Sequence, residues 1–267
     1  MNYKLRKWFH KLFKLEKNKS RGLVLNNKMK NKLKIIAIVQ ARMGSTRLPG
    51  KMMMRINGKP MVFYIPEQLK YSKLIDEVII ATSVQPENDE MYNYLKSSGV
   101  EVFRGPEDDV LKRFVLVVEK YKPDIIVRIT GDEPLIDPFL VDKVIKEHLK
   151  SGADYTSTKE YKDGKYIRTV PMGLDSEVFS AKGLLRIDKI AKTEFDREHV
   201  TPYFYMHPKE FKVHVYKNKP DYKGEPVLTV DNQEDFDFVK GIIEHLYTPK
   251  KPITLKQVVA FIKKNLR

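Results

Sequence analysis

Apolar and polar positions along this chain fall into blocks that predict strands and helices in alternation. Short continuous apolar runs are typical of strands buried on both faces, whereas apolar positions three and four residues apart are typical of amphipathic helices. Strands are predicted at 35–39, 78–82, 100–103, 125–130, 154–158, 213–216 and 228–230. Helices are predicted at 61–72, 88–98, 109–121, 137–151, 233–247 and 254–266.

This alternation predicts an α/β fold with a mostly parallel (mixed) sheet and helices on both of its faces. Ligands of such sheets bind beyond the carboxyl ends of the strands, so residues that directly follow a strand are the candidates for function. We expect one domain at residues 33–250, with residues 251–267 forming a C-terminal helix packed on it. Residues 1–30 are expected to be a separate, basic N-terminal extension.

The loop after the first predicted strand, residues 40–51, combines glycines, hydroxyls and positive charge. Glycines allow backbone N–H groups to approach an anion closely, and the cations Arg42, Arg47 and Lys51 would neutralise it. The pattern predicts a phosphate-binding loop; the alternative is an ordinary surface loop with scattered charge. A Walker A loop is excluded, because the Gly-Lys-Pro at 58–60 lacks the upstream glycine and the following Ser or Thr.

Acidic residues follow three other apolar runs. Asp132 lies in Gly-Asp-Glu-Pro at 131–134, where its carboxylate could hold Mg²⁺ or simply belong to a turn rich in Asp and Pro. Asp231 precedes a predicted helix, so a helix N-cap competes with a functional role. Asp175 and Glu177 alternate, which places both side chains on the same side of an extended segment.

Other candidates lie at the same predicted edge of the sheet. Thr82, Ser83 and Arg104 end strands and would therefore line the rim of a ligand site. His199, within Arg-Glu-His-Val-Thr-Pro at 197–202, is a candidate substrate contact, and a hydrogen-bonded structural histidine is the alternative.

Composition narrows the classes of function. The chain has 267 residues, no cysteine and a net charge of +15. Without cysteine there are no disulfides, thiolate metal sites or cysteine nucleophiles, which suits a reducing cytoplasm. No apolar run approaches the roughly 18 residues of a membrane span.

Residues 1–28 carry much of the positive charge, with nine Lys or Arg against a single Glu. Their apolar residues fall on one helical face, which predicts a basic amphipathic helix on a membrane surface or a partner. A poorly ordered arm and a true start at Met29 are the alternatives. The rest of the chain is only mildly basic, and we expect no nucleic-acid partner.

Several motifs together resemble those of the cytidylyltransferases that make CMP-activated sugar acids, including the CMP-KDO and CMP-sialic acid synthetases. The resemblance is to the SpsF branch, named for spore coat polysaccharide synthesis, and covers about residues 33–247. It rests on Gln-Ala-Arg-Met-Gly-Ser-Thr-Arg-Leu-Pro-Gly-Lys at 40–51, Asn-Gly-Lys-Pro at 57–60, Glu-Asp-Asp-Val-Leu at 107–111, Gly-Asp-Glu-Pro at 131–134, Gly-Leu-Asp at 173–175, Arg-Glu-His-Val-Thr-Pro at 197–202 and Leu-Thr-Val-Asp at 228–231.

The resemblance implies a GT-A-like nucleotidyltransferase fold and a Mg²⁺-dependent reaction with CTP. It assigns catalysis to Arg42, Lys51, Asp132 and Asp231, with the two aspartates as metal ligands. The residues expected to bind the nucleotide are Gln40, Ala41, Arg42, Gly44, Ser45, Lys51, Thr82, Ser83, Arg104 and Gly131. Those expected to face the acceptor are Asp175, Glu177, Arg197 and His199.

The predicted function is transfer of CMP from CTP to a hydroxyl of a sugar acid or related small polyol, with release of pyrophosphate, for polysaccharide, glycoconjugate or lipid synthesis. The acceptor region follows neither the KDO nor the sialic acid pattern closely, so the resemblance does not name the sugar. A GT-A glycosyltransferase using a nucleotide sugar is the alternative, and a non-enzymatic basic binding protein is a third hypothesis. We expect a cytoplasmic homodimer, with membrane contact at the cytoplasmic face through residues 1–28.

Overall fold

The computed structural model describes residues 32–265 of the chain. The predicted amphipathic segment at 1–28 lies outside these residues, as does the last position of the predicted C-terminal helix. From Lys34 onward the chain forms one compact unit. Within the described part, none of the helices has the length and apolar character needed to cross a membrane.

A seven-stranded mixed sheet forms the centre of the fold. The strands of the described chain are β1 (Ile35–Gln40), β2 (Arg55–Ile56), β3 (Lys59–Pro60), β4 (Glu77–Ser83), β5 (Glu101–Gly105), β6 (Ile125–Thr130), β7 (Tyr155–Ser157), β8 (Lys159–Lys162), β9 (Lys165–Arg168), β10 (Glu177–Ser180) and β11 (Val213–Val215). The sheet has the order β11-β7-β10-β6-β1-β4-β5. β6, β1, β4 and β5 run parallel, β10 is antiparallel to both β6 and β7, and β11 is parallel to β7. The predicted mostly parallel (mixed) sheet is confirmed.

Helices cover both faces of this sheet. They are α1 (Tyr64–Leu69), α2 (Asp89–Ser97), α3 (Val110–Tyr121), α4 (Pro138–Ser151), α5 (Ala181–Ile190), α6 (Glu194–His199), α7 (Pro202–Met206), α8 (Gln233–Leu246) and α9 (Leu255–Asn265). Side-chain caps set several of their starts. Asp109 accepts from the Lys112 N–H at the start of α3, and Asn232 forms a capping box with Asp235 at the start of α8.

Both faces of the central strand β1 are buried. Ala37 and Val39 pack into one core with α1, α2, α4, α8 and α9, whereas Ile36 and Ile38 pack into a second core with α3, α5 and α7. Burial of each large aliphatic side chain contributes about 1.5–3 kcal/mol. Because neither face meets water, the strand has the uninterrupted apolar sequence from which it was predicted.

The carboxyl-terminal half differs most from the prediction. Residues 228–230 are extended, but they are not a strand: Leu228 N–H donates to the Met172 carbonyl oxygen (2.7 Å) and Val230 N–H to that of Asp132 (3.0 Å). Leu228 and Val230 are fully buried, which explains the strand-like pattern. The prediction from sequence does not include β10 or α5–α7; β10, α6 and α7 have only four, six and five residues, whereas α5 is a ten-residue amphipathic helix that the prediction missed. The predicted helix at 61–72 is a 3₁₀ turn, Met61–Phe63, followed by α1.

Candidate active site

A cavity of about 340 Å³ lies beyond the carboxyl ends of β1 and β6. The loop after β1 forms one wall, and α3, α6 and the segment before α8 contribute the others. Its lining residues are Gln40, Ala41, Arg42, Gly44, Ser45, Thr46, Arg47, Lys51, Met52, Val110, Arg113, Thr130, Gly131, Asp132, Glu198, His199 and Asp231. The fold thus brings the predicted phosphate loop together with the acids predicted after two distant apolar runs.

The loop at 41–50 is held by hydrogen bonds from its own backbone and from a neighbouring turn. Met43 N–H donates to Asn88 Oδ1 (2.9 Å), and Ser45 N–H donates to the Met43 carbonyl oxygen (2.8 Å). Gly50 has a φ of 73°, in the left-handed region that glycine adopts without strain, and it starts the short 3₁₀ helix Lys51–Met53. This turn directs the Lys51 side chain into the cavity.

Lys51 lies between the two predicted metal ligands. Its ammonium donates to the Val230 carbonyl oxygen (2.6 Å) and lies 3.4 Å from Asp231 Oδ1 and 3.6 Å from Asp132 Oδ2. The residue is only 7% exposed, so these contacts replace most of its water. One cation therefore marks the point where both carboxylates converge.

The other two cations of the loop, Arg42 and Arg47, also form ion pairs with carboxylates. Arg47 is 2.7 Å from Asp231 Oδ1, and Arg42 donates to Glu107 Oε1 at 2.9 Å with Glu198 Oε1 at 3.9 Å. The Arg42 and Arg47 side chains are 41% and 68% exposed. Exposed pairs of this kind contribute about 0–1 kcal/mol, so either arginine can exchange its carboxylate for a phosphate.

Asp132 and Asp231 fit a divalent cation such as Mg²⁺. Asp132 Oδ2 and Asp231 Oδ1 both approach the Lys51 ammonium, while Asp132 Oδ1 is buried and has no hydrogen-bond partner among the described residues. Within residues 32–265 no group of three or more His, Asp or Glu forms a closed metal cage. Two carboxylates suit Mg²⁺, which completes its octahedron with water and substrate phosphate oxygens.

At Gly131 and Gly173 a Cβ atom would collide with neighbouring atoms, so only glycine fits. A Cβ on Gly131 would lie 2.9 Å from the Ala41 Cβ, so this glycine lets the ends of β6 and β1 meet behind the cavity. Gly173 has a φ of 94°, and a Cβ there would lie 2.5 Å from the Leu228 carbonyl carbon. The turn at 171–174 therefore packs directly on the extended backbone that leads to Asp231.

Thr82, Ser83 and Arg104 are not among the residues that line the cavity, and their contact with a nucleotide stays a prediction. The 3₁₀ turn Pro86–Asn88 covers the end of β4, and Thr82 and Ser83 are fully buried beneath it. Asn88 accepts from Thr82 Oγ1 (3.2 Å) and donates to Ser83 Oγ (2.9 Å). Arg104 donates to the Ser83 carbonyl oxygen and pairs with Asp89 (2.6 Å). These residues support the loop through Asn88, which the sequence pattern did not single out.

Asp175 and Glu177 are likewise buried rather than directed at the cavity. Asp175 accepts from Thr158 Oγ1 (2.9 Å) and from Arg168 Nε (3.0 Å). Glu177 pairs with Arg128 and Lys159, and Tyr155 donates to it at 2.6 Å. We call Arg128, Tyr155, Lys159 and Glu177 the buried cluster. Although burial alone would raise it, the charges of Lys159 and Arg128 lower the pKa of Glu177 to about 2.

The buried cluster touches the cavity through one hydrogen bond, from Arg128 Nε to Gln40 Oε1 (3.0 Å). Nearby Glu133 is 4% exposed, and burial together with the charges of Asp175 and Asp132 raises its pKa well above the usual value. The predicted acceptor acids therefore support the base of the site and do not themselves face its opening.

Two residues of the motif at 197–202, His199 and Arg197, have different positions relative to the cavity. His199 lines the cavity, as predicted for a substrate contact. Arg197 instead ties α6 to the start of α3, donating to Asp109 Oδ2 (2.9 and 2.6 Å) and Asp188 Oδ1 (3.0 Å). It lines a second cavity of about 530 Å³, which shares Arg42 and Glu198 with the first.

Arg113 also lines the cavity and is missing from the predicted set. It lies three residues after Val110, and both face the same side of α3. No local pattern indicates it, because an arginine on an amphipathic helix has the same kind of sequence context whether it is buried or solvated.

A basic loop facing paired carboxylates at the carboxyl edge of a mostly parallel sheet is the site of a nucleotidyltransferase. Comparison with known proteins narrows this class, since the model of the cytidylyltransferase family matches residues 36–258. The chain therefore belongs to the cytidylyltransferase family, a family of CTP-dependent enzymes.

Individual relatives agree. The spore coat polysaccharide biosynthesis protein SpsF of Bacillus subtilis is 36% identical over 79% of this chain and 86% of its own length. A 3-deoxy-manno-octulosonate cytidylyltransferase of Geotalea daltonii is 30% identical over 66% of this chain and 80% of its own. The structure of a cytidylyltransferase from Leptospira borgpetersenii superposes with a TM-score of 0.79 at 32% identity, covering 88% of this chain and 95% of that one.

Proposed function

We propose that this protein transfers CMP from CTP to a hydroxyl of a sugar acid or related small polyol and releases pyrophosphate. The observation that carries the proposal is the convergence of Lys51, Asp132 and Asp231 within 3.6 Å at one end of the cavity. The same wall of the cavity thus carries positive charge that suits a triphosphate and carboxylate oxygens that suit its metal ion.

The residues divide the work of an in-line displacement. Arg42, Arg47 and Lys51 bind the β- and γ-phosphates and stabilise the negative charge that the departing pyrophosphate gains. The backbone of the loop around Gly44 and Ser45 orients the same phosphates. The acceptor oxygen bonds to the α-phosphorus while the bond from that phosphorus to the bridging oxygen of the β-phosphate breaks. The hydroxyl proton leaves to solvent.

Asp132 and Asp231 would hold Mg²⁺. The bound ion supplies Lewis-acid polarisation of the phosphate and lowers the pKa of an attacking hydroxyl. The carboxylates suit this role because Asp132 Oδ2 and Asp231 Oδ1 converge on Lys51, and because Lys51 and Arg47 can turn from these carboxylates to phosphate.

The acceptor class is supported by the names of the relatives, a 3-deoxy-manno-octulosonate cytidylyltransferase and a polysaccharide biosynthesis protein. His199 and the shared edge with the second cavity give the acceptor an entry lined by both signs of charge. Such an edge suits a substrate that carries a carboxylate and several hydroxyls.

A screen for pyrophosphate release tests this function. The purified chain is incubated with Mg²⁺, each of the four nucleoside triphosphates, and a panel of sugar acids and small polyols. Release from CTP that requires one acceptor class is expected. Pyrophosphate-free turnover of a nucleotide sugar would instead identify a glycosyltransferase.

The chain is further proposed to act as a homodimer. The hairpin of β8 and β9 exposes apolar side chains, among them Tyr166 (41%) and Ile167 (51%), and contiguous apolar surface favours association. Light scattering is expected to give twice the monomer mass, and Ile167→Glu is expected to lower it. A monomeric wild type would refute the dimer.

Residues 1–28 are proposed to contact the cytoplasmic face of a membrane. Their basic, amphipathic composition suits anionic lipid. Flotation with vesicles containing phosphatidylserine should recover the full chain, and Trp8→Glu should reduce recovery. Equal recovery with neutral vesicles would contradict an electrostatic attachment.

A further inference from the structure

The motif at 197–202 contains a strained backbone turn at Val200. Val200 has a φ of 70° and a ψ of −49°, and the Thr201 N–H donates to the His199 carbonyl oxygen (2.8 Å), which closes a three-residue γ-turn. A γ-turn with a positive central φ is rare because it crowds the Cβ atom, and a β-branched side chain increases the crowding. The other described non-glycine residues with a positive φ are polar and exposed, namely Asn57, Lys122, Asp163 and Lys223. Val200 is therefore the one buried, β-branched residue with this backbone in the described part of the chain.

Burial and hydrogen bonds hold Val200 in this conformation. Its side chain is fully buried and belongs to the second core, together with Phe204. The Val200 N–H donates to the Asp196 carbonyl oxygen (3.0 Å), and the Thr201 hydroxyl donates to Glu177 Oε1 in the buried cluster (3.1 Å). Strained backbone persists only where the surrounding structure over-determines it, and it concentrates at functional sites. The second core and the buried cluster together supply that support.

The turn determines where His199 lies. It joins α6 to α7, which are separated by only two residues. Val200 enters the core, while the neighbouring His199 stays exposed and lines the cavity. The His199 ring packs edge-on against Phe195, with centroids 4.6 Å apart, and it has no hydrogen bond to another described residue. Both ring nitrogens are therefore available to a ligand in the cavity.

We propose that Val200 and Thr201 are positioning residues that fix the His199 ring for contact with the acceptor, a role that rests on the proposed function. Hydroxyl and carboxylate groups of an acceptor form hydrogen bonds with an imidazole, so the place of the ring sets the place of the acceptor hydroxyl. Release of the turn moves His199 and lowers turnover without removing any group that touches a substrate.

Two truncations at Val200 separate the strained conformation from simple packing. Alanine loses the burial but keeps the crowded Cβ, so the turn should relax to an ordinary backbone conformation. Glycine loses the same burial but adopts a positive φ without strain, so the turn should persist. Packing alone predicts the reverse order of damage, since glycine leaves the larger cavity and the more flexible unfolded chain.

NMR of the His199 ring in the full chain tests the positioning without any substrate. The edge contact with Phe195 displaces the ring proton resonances of His199, which His199→Gln assigns by their absence. This displacement should be lost in Val200→Ala and retained in Val200→Gly. It should also be lost in Thr201→Val, which removes the hydroxyl bonded to Glu177, and retained in Thr201→Ser.

Turnover should follow the same order. With the panel compound that supports pyrophosphate release from CTP, kcat/KM for that acceptor should fall about 10- to 100-fold in Val200→Ala and less in Val200→Gly. KM for CTP should stay at its wild-type value, because the phosphate loop is untouched. A rise in KM for CTP alone would place the effect at that loop and overturn the positioning role.

Val117 provides the matched control. It is fully buried in the same core, but it lies within α3 and outside the cavity lining. Alanine is favoured over glycine inside a helix, so Val117→Ala should be more stable in urea than Val117→Gly. At Val200 the glycine variant should be the more stable one. The same order at both positions would show that the backbone at Val200 is not strained.

The NMR result also separates this role from the proposed function. Resonances of His199 that are unchanged in Val200→Ala overturn the positioning role even if CTP is turned over. Resonances that move in Val200→Ala and return in Val200→Gly support it even if every tested acceptor fails to release pyrophosphate.

Discussion

Two regions of this protein contain clustered opposite charges, and burial separates their roles. In the phosphate loop, Arg42 and Arg47 pair with carboxylates while remaining 41% and 68% exposed. In the buried cluster, Arg128 and Glu177 are 8% and 3% exposed. The exposed pairs contribute about 0–1 kcal/mol each, whereas breaking a buried pair costs about 3–5 kcal/mol. The same residue types are therefore proposed to bind a ligand in the exposed loop and to stabilise the fold in the buried cluster.

Of the four variants considered, Asp132→Asn should have the largest effect, and this effect should be on activity and not on stability. The amide keeps the shape but loses the charge that is proposed to hold Mg²⁺, so kcat/KM for CTP should fall by about 10³-fold, as when one preorganised electrostatic contact is lost. Stability in urea should remain within about 1 kcal/mol of wild type. Asp237→Asn, on the exposed face of α8, is the control. Normal turnover by Asp132→Asn would rule out its metal role.

Glu177→Ala should have the opposite profile, with a large effect on stability. Removal of this carboxylate leaves Arg128 and Lys159 buried without compensation, and the free energy of unfolding should fall by about 3–5 kcal/mol. Equilibrium urea denaturation measures the change. The double variant Arg128→Met with Glu177→Leu should recover part of the loss, because it removes the Arg128 charge as well, while Lys159 remains charged near Asp175. A single variant as stable as wild type would show that the buried cluster is not a scaffold element.

The buried His148 beside β7 predicts a pH dependence of the same scaffold region. Burial, with a contribution from His214, lowers its pKa to about 4, so the folded protein keeps the ring neutral. The unfolded chain binds that proton near pH 6.5, so stability should fall as pH drops from about 6.5 to 4, by up to about 3 kcal/mol. His148→Gln should flatten this part of the stability–pH curve. Identical curves would exclude His148 as the cause.

Arg47→Ala should have the smallest effect and should separate binding from stability. Loss of its pair with Asp231 should change stability by less than about 1 kcal/mol. Loss of a charged contact to the triphosphate should raise KM for CTP about 10-fold, a difference of about 1.4 kcal/mol. Arg55→Ala, on a hairpin away from the cavity, is the control. A loss of stability without a change in KM for CTP would show that Arg47 stabilises the fold and does not bind the triphosphate.

The phosphate loop and Asp132 could be predicted because each directly follows a strand with an apolar sequence. The carboxyl ends of parallel strands share one edge, so sequence position alone places both at the site. Asp231 required the resemblance, since its segment is extended without being a strand. Its placement depends on the contact between Gly173 and Leu228, which no local pattern contains.

Other placements depend on contacts that periodicity does not encode. Thr82 and Ser83 end a strand, but the turn at Pro86–Asn88 covers them. Alternation predicts only that Asp175 and Glu177 share a side, whereas the burial of Glu177 follows from pairing of β10 with β6 and β7. Arg113 on an amphipathic helix is indistinguishable in sequence from a solvated arginine until the helix is packed.

The bond between Lys51 and the Val230 carbonyl oxygen joins residues 179 positions apart. A chain growing on the ribosome exposes the phosphate loop early, long before residue 231 is made. Until then Lys51 lacks that carbonyl oxygen and Asp132 lacks its partner carboxylate. Domains fold as units during synthesis, so this site is completed only after residue 231 has been made. Nascent fragments that end before that residue therefore contain the phosphate loop but lack the second carboxylate of the site.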